Sequence, residues 1–178
     1  MPANPVPDPP EAVRDYAERA VEFVQTALGL PLEFDSDTLP LLDHYLRSVP
    51  TADPNMVVLV AVTSGAYFGE VVRRHMGGHW DLSAGEPDGW RLVLPTGLSF
   101  SPAGVVAEAI LQQDDLDLSS SFDAPPKLRP YVEQALERMG DVTVEIYYSL
   151  CGRLDTLEHL QAVLLATAAQ LAAKQRSH

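Results

Sequence analysis

The chain of 178 residues has one cysteine, Cys151, so no disulfide can form within it. Scarce cysteine fits a reducing compartment, and a cytoplasmic location is the expectation. Basic residues are few: 12 Lys and Arg stand against 25 Asp and Glu, a net charge of −13. That surface repels phosphate backbones and has no basic stripe to offset the repulsion, which argues against a nucleic-acid partner. Long apolar runs are also missing. The longest, Met56–Val62, falls short of the ~20 residues of a membrane span. The opening MPANPVPDPP lacks the apolar core of a secretory signal. No glycine-rich dinucleotide or phosphate loop and no GxSxG elbow occurs, so no cofactor is expected.

What is present reads as α+β. Residues 1–10 hold five prolines and no periodic pattern, which predicts a disordered or extended tail; residues 11–175 form the expected domain. Helical spacing of apolar residues runs from Glu11 to Leu28, closed by Gly29, and again through SDTLPLLDHYLRSVP. Asp53-Pro54 is a cap followed by a first-turn proline. It opens a helix that starts apolar on every side and ends at Gly77-Gly78. HWDLS and WRLVL flank a turn-rich segment and predict a hairpin, with GLSF as a third strand. Ser101-Pro102 starts another helix, and PKLRPYVEQALERMG is a further one. DVTVEIYYSL alternates as a half-buried strand does, and Asp155 with Glu158 is spaced like a capping box for the last helix. The expected fold is one domain of about six helices on a three- or four-stranded antiparallel or mixed sheet.

The stretch GAYFGEVVRRHMGGHW, residues 65–80, concentrates the candidate site residues: Glu70, Arg73, Arg74, His79 and Trp80. Gly65 and Gly69 are one turn apart on one helix face. Each costs about 1 kcal/mol relative to alanine, which close packing against a neighbour would offset. Glu70 and Arg74 have the spacing of a surface ion pair, and Arg73, Arg74 and His75 suit the C-terminal end of a helix dipole. His75 and His79 are four apart, but Gly77-Gly78 breaks the helix between them. A zinc pair therefore loses its fixed geometry, and no metal is expected. Cys151 has no adjacent base in the pattern of a nucleophile pair and reads as a small buried residue.

Two segments, LEFDSDTLPLLDHYLRSV and GAYFGEVVRRHMGGHWDL, together resemble a pattern in a family of small uncharacterised bacterial domains, matched at Gly65, Ala66, Tyr67, Gly69, Glu70, Arg73, Gly78 and Trp80. The resemblance spans residues 32–82 and implies a small bacterial α+β domain, with no catalytic set to carry over. Two functions remain open at this point. One is a non-enzymatic protein-interaction module, an adaptor, secretion-chaperone-like or immunity-type protein. Its acidic surface would suit a basic protein partner, and its 114–124 loop and proline-rich tail would be free to engage others. The other is a small-molecule-binding domain or enzyme with a pocket around Glu70, Arg73, His79 and Trp80.

Overall fold

A computed structural model describes residues 5–115 and 117–176. Its centre is α3, Pro54–Met76, capped by Asp53, whose carboxylate accepts from the amides of Asn55 and Met56. From Val60 to Arg73 every residue of α3 is buried, because helices cover it on opposite sides. On one side lies α1, Glu11–Leu28, which turns Val13, Ala17, Ala20 and Val24 inward and ends at Gly29 in a left-handed conformation. On the other lies α4, Pro102–Leu111, capped by the Ser101 hydroxyl and buried from Pro102 to Ile110. Gly65 makes that second contact close: a Cβ there would fall 2.7 Å from the Ala103 Cα. By length and composition α3 could cross a membrane, yet 78% of that stretch is buried inside the fold. Counting only uninterrupted apolar residues hides this, since Thr63, Ser64 and Gly65 interrupt the run without making it polar.

A 3-10 turn, Ser36–Thr38, leads into α2, Leu39–Arg47. After α3, the chain forms a small antiparallel sheet in the order β1 (His79–Asp81), β2 (Arg91–Val93), β3 (Ser99–Phe100). Trp80 stands opposite Leu92, and Leu92 opposite Phe100. The segment expected to be a free polar loop at 114–124 is tied down over residues 120–123. Asp123 bridges to Ser99, the Ser120 carbonyl accepts from Ser101, and Arg91 donates to the Ser121 carbonyl. Of the expected tail, residues 1–4 lie outside the described residues; residues 5–10 form neither helix nor strand, and the Pro7 carbonyl accepts from Arg73.

The C-terminal third departs from the sequence reading. It consists of α5 (Arg129–Arg138), α6 (Val144–Tyr148) and α7 (Leu150–Arg176). DVTVEIYYSL is therefore not a strand. Alternation specifies a strand only when a partner offers its ladder, and among the described residues none pairs with this segment. Nor do Asp155 and Glu158 open α7, which begins at Leu150. Its first amides are capped from far away in sequence: Asp43 of α2 accepts from Leu150 N at 2.7 Å and Cys151 N at 3.2 Å. Ser149 adds its hydroxyl, accepting from Gly152 N at 2.9 Å. At 27 residues α7 spans about 40 Å. Its inward stripe ends at Leu164, and beyond it no described residue is buried.

Candidate functional site

The five residues singled out in the sequence fall into two kinds. Glu70, Arg73 and Trp80 form one closed network between the end of α3 and β1. Glu70 is only 1% exposed and Arg73 5%. Glu70 Oε1 accepts from Arg73 Nε and from Trp80 Nε1, each at 2.7 Å, while Oε2 accepts from Arg73 Nη2 at 3.0 Å. The same Nη2 donates to the Pro7 carbonyl at 2.8 Å, so the guanidinium also pins the N-terminal segment. The Trp80 ring, half-buried, lies over Gly69, where a Cβ would collide with the ring edge. The expectation of an exposed ion pair is corrected here. Helical spacing does not reveal exposure, and here α3 is buried all round from Val60 to Arg73, with Trp80 of β1 on the Glu70 carboxylate.

Arg74 and His79 stand outside this network. Arg74 approaches Glu70 Oε2 at 3.6 Å but is exposed, with its guanidinium 4.6 Å from the centre of the Phe34 ring. His79 is exposed at the start of β1, opposite Val93. His75 turns instead toward α7 and pairs with Glu158. Among the described residues no three His, Cys, Asp or Glu side chains come together as metal ligands would. An open hollow of about 550 Å³ lies between Pro5–Pro7 and Arg73, Arg74, Gly77 and Gly78, but the Arg73 guanidinium there is already committed to Glu70 and Pro7.

A different region carries the features of a binding face, and sequence reasoning missed it. Residues 136–147, from the end of α5 through α6, are all exposed. Six of them are large and apolar: Leu136, Met139, Val142, Val144, Ile146 and Tyr147. Together with Phe122 and Leu160 several of these line a cavity of about 430 Å³ between α5, α6 and α7. Contiguous apolar surface of this kind is uncommon on a monomer and marks interaction sites or grooves. The alternation in DVTVEIYYSL places Val142, Val144, Ile146, Tyr148 and Leu150 on one face; Leu150 is buried, and the other four are exposed or half-exposed. The usable signal was the surplus of apolar residues itself, which no short helix could bury.

Behind the groove sits a second buried ion pair. Arg153 of α7 is 5% exposed and Glu108 of α4 2%. They meet at 3.0 Å, and the other Glu108 oxygen accepts from the amide and hydroxyl of Ser120, both at 3.0 Å. The Arg153 guanidinium lies 4.4, 5.4 and 5.7 Å from the rings of Tyr147, Tyr148 and Phe122, within cation–π range. Its Nε is buried and has no hydrogen-bond partner. Arg153 also lines the groove, so this donor lies just behind the apolar face.

Cys151 is poorly placed to act as a nucleophile. Burial, reinforced by the neighbouring Asp43 carboxylate, pushes the Cys151 thiol up to about 12, away from the thiolate form that attacks. No known protein family, curated protein or solved structure matches the chain.

Proposed function

We propose that the protein is a non-catalytic interaction module whose binding element is the groove between α5, α6 and α7. Its partner is a second protein presenting an apolar segment flanked by lysine or arginine. The observation that carries this reading is the exposed apolar stretch from Leu136 to Tyr147 beside its cavity. Charge argues for the partner's chemistry. Residues 133–158 hold six carboxylates and only two arginines, and one of those, Arg153, is buried and paired with Glu108. Rim charges of one sign select the opposite sign through association rate and specificity. The net charge of −13 disfavours a second copy of the same chain on this face.

A titration with a short amphipathic peptide of leucines and lysines, followed by fluorescence anisotropy, tests the reading. Saturable binding that weakens with salt is expected, together with weaker binding of the leucine–glutamate counterpart. Equal binding of both peptides, or of neither, would overturn it. The cavity volume supports a second reading, a small apolar ligand, because such sites run from about 300 to 1,000 Å³. In that case a small hydrophobic dye would saturate the groove and the peptide would not displace it. The pocket expected around Glu70, Arg73, His79 and Trp80 has less in its favour, since the Glu70 oxygens and the Trp80 indole N–H are satisfied within the chain.

A further inference from the structure

We propose that α6 is a lid over Arg153, which swings away from α7 when a protein segment docks in the groove; this rests on the groove being the binding face. A helix of five residues is far below the roughly 12–15 at which an isolated helix becomes even marginal in water. Its residues Val144, Ile146, Tyr147 and Tyr148 are β-branched or aromatic, all weak helix formers. None of the five is buried, so α6 contributes no side chain to the core. Its segment alternates as a strand does, and an extended alternative therefore lies close in free energy.

Apart from the Ile146 carbonyl, which accepts from the Ser149 hydroxyl at 2.8 Å and lies close against Gly152 of α7, the fastenings are few. Tyr148 Oη donates to Asp114 Oδ1 at 2.9 Å, and Tyr147 and Tyr148 rest on the Arg153 guanidinium. The Thr143 cap is long, with Ile146 N at 3.4 Å from its hydroxyl. Both ends offer pivots: Gly140 is left-handed at φ 75°, and Ser149 has the extended ψ of 149° between two helices. Beneath the lid, the closed form keeps Arg153 Nε from any hydrogen-bond partner, which is unfavourable for a buried donor. Opening gives that donor access to a carbonyl oxygen of the docked segment. An anion is the poorer fit, because the Arg153 charge is already matched by Glu108. The lid thus makes docking conditional on opening, and the free protein covers its most polar contact with two tyrosine rings.

Hydrogen exchange on the full chain, paired with titration of the leucine–lysine peptide, tests the lid. Tyr148→Phe removes one fastening at a side chain outside the groove lining. It is expected to speed exchange of the 146–149 amides roughly three- to tenfold, the worth of one solvent-exposed hydrogen bond to a carboxylate, while amides of α3 and α4 stay unchanged. Peptide affinity should tighten in the same proportion, since apparent affinity follows the open fraction. Val144→Ala, which favours the helix, should shift both readouts the other way. If the peptide binds but neither variant changes exchange or affinity, the lid is overturned and the groove reading stands. If the variants change exchange while the peptide fails to bind any form, the groove reading falls and takes the docking role of the lid with it.

Discussion

Two arginine–glutamate pairs are buried in this fold, and they differ in what surrounds them. At Arg73–Glu70, both carboxylate oxygens accept hydrogen bonds from the chain, and the guanidinium also holds Pro7. At Arg153–Glu108, the carboxylate is satisfied by Ser120, yet the guanidinium keeps an unpartnered Nε and lies beside an apolar groove. The first pair has the density of potential catalytic residue types that draws the eye in a sequence. Its chemistry is consumed in joining helix to sheet. A cluster of charged residues is therefore a poor guide to a site until its hydrogen bonds are assigned, and an incompletely satisfied pair next to exposed apolar surface is a better one.

Perturbing the Arg73 pair should have the largest effect. Glu70→Ala is expected to lose about 3–5 kcal/mol in chemical denaturation, because it strands a buried guanidinium and the Trp80 N–H. Glu70→Gln removes the charge but keeps an acceptor, and should fall at the lower end of that range. Gly65→Leu should lose about 1–3 kcal/mol by overpacking against the Ala103 backbone; an unchanged melting curve would mean that α3 and α4 are not in close contact. Asp43→Ala removes the long-range cap of α7 and should cost about 0.5–2 kcal/mol, read from the urea midpoint. The smallest stability effect belongs to the groove. Met139→Asp, at an exposed position, should stay within about 0.5 kcal/mol of the parent in the same assay. Alkylation of Cys151 at mildly alkaline pH should be far slower in the folded protein than in urea, because its thiol is held protonated up to about 12.

Much of the N-terminal two-thirds was legible because its signals are local. Asp53-Pro54, Ser101-Pro102 and Gly29 act within a turn of where they stand, and the strands flanking SAGEPDG pair with their neighbours. The failures are non-local. Asp43 caps a helix 107 residues away, which no window of sequence reveals. Val142 to Tyr148 carry a strand pattern, but the sheet they would join lies elsewhere and ends in the Ser99–Asp123 bridge. Glu70 and Arg74 have ion-pair spacing, yet spacing cannot show that Glu70 is buried with Arg73 and Trp80 on its carboxylate. The groove was invisible for the same reason: exposure is decided by which elements fail to arrive.

The most direct test of the contrast is one titration series with the leucine–lysine peptide, using the parent chain, Met139→Asp in the groove and Arg74→Ala at the exposed edge of the Glu70 network. The account predicts affinity weaker by roughly tenfold or more for Met139→Asp, the scale of losing a central apolar anchor, with unchanged stability and near-parental affinity for Arg74→Ala. Loss of binding in Arg74→Ala with Met139→Asp unaffected would place the binding face at the end of α3 and contradict it.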